Sequence, residues 1–199
     1  MVVRAEWAMQ NRAMALKSTV FKAQLQVADI DHGYYAEHAL TLARHPSETD
    51  ERMMVRIAAL ALHAHQLQDV CHGDGKLAFG AGLSDPDDPD VALTDFTGRK
   101  RLWIEVGQPD ERALTKASAQ ADAVVVLAFH GAADVWWRGI ANKVTRLDKL
   151  QVWRLPGEAA PALAALAERS MQLQATVQDG ALTLSSALGS VHVEPQRWR

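Results

Sequence analysis

The chain has 199 residues, 48% of them apolar and 23% charged, enough to bury a hydrophobic core and too apolar for a disordered tail. Its formal net charge is -3, so it lacks the global basic excess that advertises nucleic-acid binding, and any such contact would need a local patch. A single cysteine, Cys71, excludes an intramolecular disulfide and a paired-cysteine metal cage and suits a reducing compartment.

The start, MVVRAEWAMQNRA, has neither an apolar run of signal-peptide length nor a small-residue cleavage site, and the longest strongly apolar run elsewhere is AVVVLAF. A soluble cytoplasmic protein is expected, without membrane spans. Regular alternation begins just after Met14: Thr19, Phe21, Ala23, Leu25 and Val27 share one face while Lys22, Gln24 and Gln26 share the other, predicting a half-buried strand. A second short strand, HALTLAR, leads to HPSETDERMMVRIAALALHAHQLQ, where Ser47 resembles an N-cap and Asp50 suits the positive end of a long helix.

KLAFGAGL reads as a strand and SDPDDPD as an acidic loop that Pro86 and Pro89 keep irregular. VALTDF and KRLWIEVG flank TGR, the pattern of a hairpin with Gly98 in its turn. Pro109, Asp110 and Glu111 open a helix expected over 109–121. AVVVLAF has the continuous apolar character of a strand buried on both faces; the helix ADVWWRGIANKV, the strand LQVWRL and the helix APALAALAERS follow. This alternation predicts an α/β sheet with parallel crossovers. Near the C-terminal end, Met171, Leu173, Ala175 and Val177 alternate with polar residues before the turn QDGA, so a terminal hairpin is expected, pairing with the N-terminal strand.

Several residues carry candidate chemistry. Glu51 shares a helix face with Met54, Val55, Ala58 and Leu62 and should point inward, or else it serves the helix dipole while Glu48 pairs with Arg52. Asp90 opens the hairpin and Glu105 sits late in its return strand; adjacent strands can bring the two to one sheet end, where they present the hard oxygens that Mg²⁺ accepts. Asp95 is a rival on the same strand, and Asp90 could instead be a turn residue of the acidic loop. Lys116 lies roughly 10 Å along a helix that returns beside Glu105, at similar height, with Gln120 its i+4 neighbour; the ordinary alternative is a solvated cation. Arg138, Lys143, Arg146, Lys149 and Arg154, interleaved with Trp136, Trp137 and Trp153, form the best candidate for a phosphate-facing patch, against tryptophans that pack on the sheet beneath solvated cations. His63, His65 and His72 near Cys71 and Asp74 show no zinc-ligand spacing.

These same stretches resemble the YaeQ family, whose fold is similar to the PD-(D/E)XK nuclease superfamily. The likeness runs from MALKSTVFKAQLQVAD through LTLARHPSETDERMMVR, DDPDVALTDFTGRKRLWIEVGQPDER and VWWR to MQLQATVQDG. It implies a restriction-endonuclease-like core, a mixed central sheet flanked by helices with additional N- and C-terminal antiparallel strands, over residues 14–199, with residues 1–13 as an N-terminal extension. It also implies a Mg- or Mn-dependent nuclease hydrolysing phosphodiester bonds, with Glu51 as the helix glutamate and Asp90 and Glu105 as metal ligands. Where the superfamily places a strand lysine two residues after the glutamate, this chain has Gly107. Lys116 is the expected replacement, from a following helix as among some superfamily relatives, and Gln120 resembles a helix glutamine found beside some of their active sites. The alternative is a non-catalytic nucleic-acid- or protein-binding regulatory module on a nuclease-like scaffold.

Overall fold

In the computed structural model, residues 18–199 other than Pro86 are described; the extension expected over residues 1–13 and the role expected of Pro86 lie outside them. The N-terminal alternation produces β1 (Thr19–Asp29), which buries Phe21, Ala23, Leu25 and Val27 and exposes Lys22, Gln24 and Gln26. β1 runs antiparallel to β2 (Tyr34–Arg44) and parallel to β8 (Ser170–Gln178). With β9 (Ala181–Ser186) and β10 (Gly189–Val193) they form a first sheet of order β10-β9-β8-β1-β2. A second sheet has the order β11-β7-β6-β5-β4-β3, built from β3 (Gly75–Phe79), β4 (Val91–Asp95), β5 (Lys100–Val106), β6 (Ala121–Ala128), β7 (Leu150–Arg154) and β11 (Gln196–Arg197). In it β5, β6 and β7 are parallel and the outer pairings are antiparallel.

The fold is therefore mixed α/β with two mixed sheets. β1, β2 and β8 to β10 do not extend a central sheet but make a sheet of their own, in which β1 pairs with β8 in parallel where antiparallel additions were expected; the C-terminal β11 does add antiparallel to the second sheet, on β7. The burial patterns give the reason. β1 and β8 each bury one face and leave the other to solvent, whereas β6 is covered on both, so they belong to different layers.

Between the two sheets runs helix α1 (Asp50–His63), with every residue from Met53 to Ala61 buried. A run as apolar as MMVRIAALA lacks a face for water and needs such an enclosed place. Its N-cap is Thr49, whose hydroxyl accepts from the Arg52 N–H at 3.2 Å, rather than the expected Ser47. A short α2 (Gln66–Asp69) follows, and α5 (Ala159–Ala164) packs along α1. The far face of the second sheet is covered by α3 (Glu111–Gln120) and α4 (Ala133–Ile140), where Leu114, Ala117 and Ile140 meet Trp103, Val124, Val126 and Val152. Asp110 caps α3, its Oδ1 accepting from the Ala113 N–H at 2.8 Å. α4 stops at Ile140, short of the helix expected through Val144, after the weak helix former Gly139. No helix among the described residues is long and apolar enough to cross a membrane.

Candidate functional site

The hairpin of β4 and β5 fixes the two carboxylates singled out in the sequence. Val91 pairs with Ile104, and the Asp90 N–H donates to the Ile104 carbonyl at 3.0 Å, so Asp90 enters the strand beside Glu105. Asp95 stands at the other end of β4, where its carboxylate accepts from the N–H groups of Thr97 and Arg99 and serves the hairpin turn. It does not compete for the site.

Asp90 is almost wholly buried, and its charge is met from α1. The Arg52 guanidinium donates to Asp90 Oδ1 at 2.7 Å and to Oδ2 at 2.8 Å; the Val106 N–H donates to Oδ2 at 2.8 Å. Arg56, 0% exposed, stands with its Nε 3.6 Å from Asp90 Oδ1 and donates to the Gly80 carbonyl at 3.1 Å. Both arginines also reach Glu48, Arg52 at 2.9 Å and Arg56 at 3.2 Å. Two guanidinium ions thus close against two buried carboxylates, the pairing that burial demands. Gly80 is required here by space, since a Cβ at this position would lie 2.0 Å from the Pro89 carbonyl oxygen.

Glu105 is differently placed. Trp103 Nε1–H donates to its Oε1 at 2.6 Å, and among the described residues no hydrogen-bond donor reaches its Oε2. Burial pushes its pKa up from the usual 4.5 to about 7; the Asp90 and Asp88 charges add to the rise, opposed by the Trp103 hydrogen bond and by Arg52. Together Arg52, Asp88, Asp90, Glu105, Gln108 and His130 line a cleft of about 410 Å³. It is rich in carboxylate oxygen, and its only fixed cation among the described residues, Arg52, is already committed to Asp90 and Glu48.

The other expected site residues lie around this cleft. Glu51 is 33% exposed, at the rim, with His130 Nδ1 3.5 Å from its Oε2; the buried glutamate here is Glu48, which precedes the helix cap Thr49. His130 holds a left-handed backbone, φ 73°, uncommon for a residue with a side chain. Lys116 reaches the acidic loop but pairs with Asp87, and the charges bearing on Glu105 come from Asp90, Arg52 and Asp88. With Arg112 and Lys143, Lys116 borders a neighbouring depression of about 670 Å³. Gln120 ends α3, exposed and away from the cleft lining; Gln108 is the glutamine that lines it, its amide donating to the Phe129 carbonyl. Gly107 has φ 110°, so the strand turns at the position where a lysine would otherwise stand, and it does so through a conformation that side chains avoid.

The basic run also divides. The Lys149 ammonium donates to the Ser118 and Ala121 carbonyls at 3.1 and 2.9 Å, Arg154 pairs with Asp134 at 3.1 Å, and Arg138 bonds within its own helix. Arg146 and Lys143 are exposed. Trp136 donates to the Pro109 carbonyl, Trp137 stacks on Trp198, and Trp153 packs against the main core, so the tryptophans are packing residues. The Glu48–Arg52 pair, given as the alternative in the sequence, is present at 2.9 Å; what sequence reading missed was that Arg52 and Arg56 also meet Asp90. Arg56, a cation inside an apolar helical run, was the available signal that a buried acid must lie opposite.

A family model described as YaeQ protein matches residues 14–195. The chain belongs to the YaeQ family. It is 42% identical to the YaeQ protein of Salmonella typhi and 40% identical to that of Escherichia coli K12, in each case over 94% of this chain and 98% of the relative. The crystal structure of the YaeQ protein from Xanthomonas axonopodis pv. citri superimposes with a TM-score of 0.83 at 43% identity, covering 92% of this chain and 98% of that one. The YaeQ structure from Pseudomonas syringae gives 0.82 at 32% identity, covering 92% and 96%. The mixed α/β fold with two mixed sheets thus matches the YaeQ structures.

Proposed function

We propose that the Asp90–Glu105 cleft is the active site of a divalent-cation-dependent phosphodiesterase acting on nucleic acid, on a scaffold resembling the PD-(D/E)XK nucleases. One observation carries this reading: a half-buried glutamate, its pKa raised to about 7, stands beside Asp90 in an open cleft and has no fixed cation of its own among the described residues. Such a carboxylate takes a proton or a cation.

The donor set fits Mg²⁺ or Mn²⁺. Glu105 offers Oε2, and Asp90, aimed by Arg52 and the Val106 N–H, retains lone-pair capacity on Oδ1; both are the hard oxygens these ions prefer. A bound ion would polarise a phosphoryl oxygen and lower the pKa of its water. Arg52 fixes the Asp90 carboxylate in one orientation, so less of that ordering is left to the moment of binding. Trp103 holds one Glu105 oxygen and leaves the other to the cleft. His130, beside Glu51 at the rim, offers an imidazole as the proton acceptor for an attacking water. Lys116, Arg112 and Lys143 offer the adjoining surface for the phosphates of a bound strand, with Arg146 beyond.

A second reading, a non-catalytic nucleic-acid- or protein-binding module, is favoured by the engagement of Lys116 with Asp87, which leaves no lysine on Glu105. Incubation with single- and double-stranded DNA and RNA under Mg²⁺ or Mn²⁺, beside the Asp90→Asn/Glu105→Gln double variant, separates the two. Cleavage lost in the variant supports the enzyme. Retention of nucleic acid without cleavage by either protein supports the module. Cleavage surviving in the variant would overturn the assignment of this cleft.

A further inference from the structure

Among the described residues, the buried carboxylate outside the arginine network is Asp29, the last residue of β1 and 0% exposed. Asp90 is met by two guanidinium groups, whereas no lysine or arginine among the described residues pairs with Asp29. Its neighbours are imidazoles. His32 Nδ1 lies 2.9 Å and His65 Nδ1 3.2 Å from the same oxygen, Oδ2, while the His32 N–H donates to Oδ1 at 3.0 Å. The two rings stack face to face, centroids 3.6 Å apart and planes within 2°. His65 Nδ1 is buried and makes no hydrogen bond despite its closeness to Asp29. Its direction therefore does not suit a proton shared with that carboxylate.

We propose that Asp29, His32 and His65 form a binding site for a divalent transition-metal cation of the zinc class. The three donor atoms lie within 4.8 Å of one another; in the stacked arrangement the in-plane lone pairs of the two parallel rings do not meet at one point, so ligation requires the His32 ring, 43% exposed, to turn toward an ion held by Asp29 and His65. A tetrahedral ion with ligands at about 2.0–2.1 Å holds them about 3.3 Å apart, close to the separations of 2.9 and 3.2 Å. Two imidazole nitrogens and one carboxylate select a borderline cation over Mg²⁺ or Ca²⁺. With both imidazoles bound as neutral ligands, a divalent ion would supply positive charge opposite the buried Asp29 carboxylate. The Asp69 carboxylate, 3.9 Å from His65 Nε2, favours the proton on that nitrogen and so frees Nδ1 as a ligand. His32, His63, His65 and Gln66 border a cavity of about 320 Å³, which gives the ion an entry path and a position for water. His63 itself is engaged, its Nδ1 accepting from the Gln66 amide at 3.3 Å.

This site is separate from the Asp90–Glu105 cleft. The two lie at opposite ends of α1, roughly 20 Å apart at 1.5 Å per residue. Bound there, the ion would clasp the end of β1 to the chain leaving α1.

The test is titration of the full chain, free of any histidine tag, with Zn²⁺ in a calorimeter and with Co²⁺ followed by visible absorption. One ion per chain is expected at this site, with binding weakened by about tenfold or more in His32→Gln and in His65→Gln. The Asp90→Asn/Glu105→Gln variant should keep it, whatever becomes of the nuclease reading. His32 is 43% exposed, so its variant keeps the test open if His65→Gln fails to fold. Equal Zn²⁺ affinity in wild type and His32→Gln, or no binding by the wild type, would overturn the proposal.

Discussion

Glu105→Gln should make the protein more stable above neutral pH and change it little at pH 5. In the folded chain the Glu105 carboxyl is raised from about 4.5 to about 7. A group whose folded pKa is raised supports the fold fully below its unfolded value, and that support is lost as pH climbs through the folded value. At about 1.4 kcal/mol per pH unit, ionisation costs the wild type about 3 kcal/mol at pH 8 and about 1 kcal/mol at pH 5, somewhat less where water still reaches the group. Glutamine keeps the acceptor for Trp103 Nε1–H and cannot ionise. Urea unfolding of both proteins at pH 5 and pH 8 measures the difference, and the wild type should lose about 2 kcal/mol more than the variant across that interval. Parallel pH profiles, or a variant less stable than wild type at pH 8, would refute the claim that burial holds this carboxylate near neutrality.

Arg56→Met should cost about 3–5 kcal/mol in urea unfolding, because it leaves Glu48 and Asp90 sharing a single guanidinium. Gly107→Lys, which would restore the strand lysine, should lower the thermal midpoint and cost about 1–3 kcal/mol, since the position needs a left-handed backbone. Asp110→Ala removes the cap of α3 and should cost about 1 kcal/mol, read by denaturant titration.

Where one residue's surroundings are set by its near neighbours, the sequence was readable. The alternation of Phe21 to Val27 and of Met171 to Val177 gave β1 and β8, the unbroken apolar run gave β6, and Asp110 marked the start of α3. β2 extends back to Tyr34 because pairing with β1 continues there, although that half buries nothing fully, so periodicity had no contrast to report. Asp90 and Glu105 could be brought together from the hairpin alone. Arg52 meeting Asp90 across 38 residues could not, since it depends on how α1 lies over the second sheet. The partner of Lys116 was also out of reach, because a long side chain beside an acidic loop chooses by local charge rather than by height along a helix.

The parallel pairing of β1 with β8 has a consequence for synthesis. Lys22 pairs with Ser170, and Asp31 then accepts from the N–H groups of Asp179 and Gly180, so the first sheet closes only after roughly 150 further residues have been made. At about 5–20 residues per second, the edge of β1 waits roughly 7–30 s beside β2 before β8 can cover it. During that interval the nascent chain presents an unpaired strand edge to its neighbours on the polysome, and its long-range closure makes folding slow for its size. The exposed Lys22, Gln24 and Gln26 on the outer face of β1 work against aggregation during this wait.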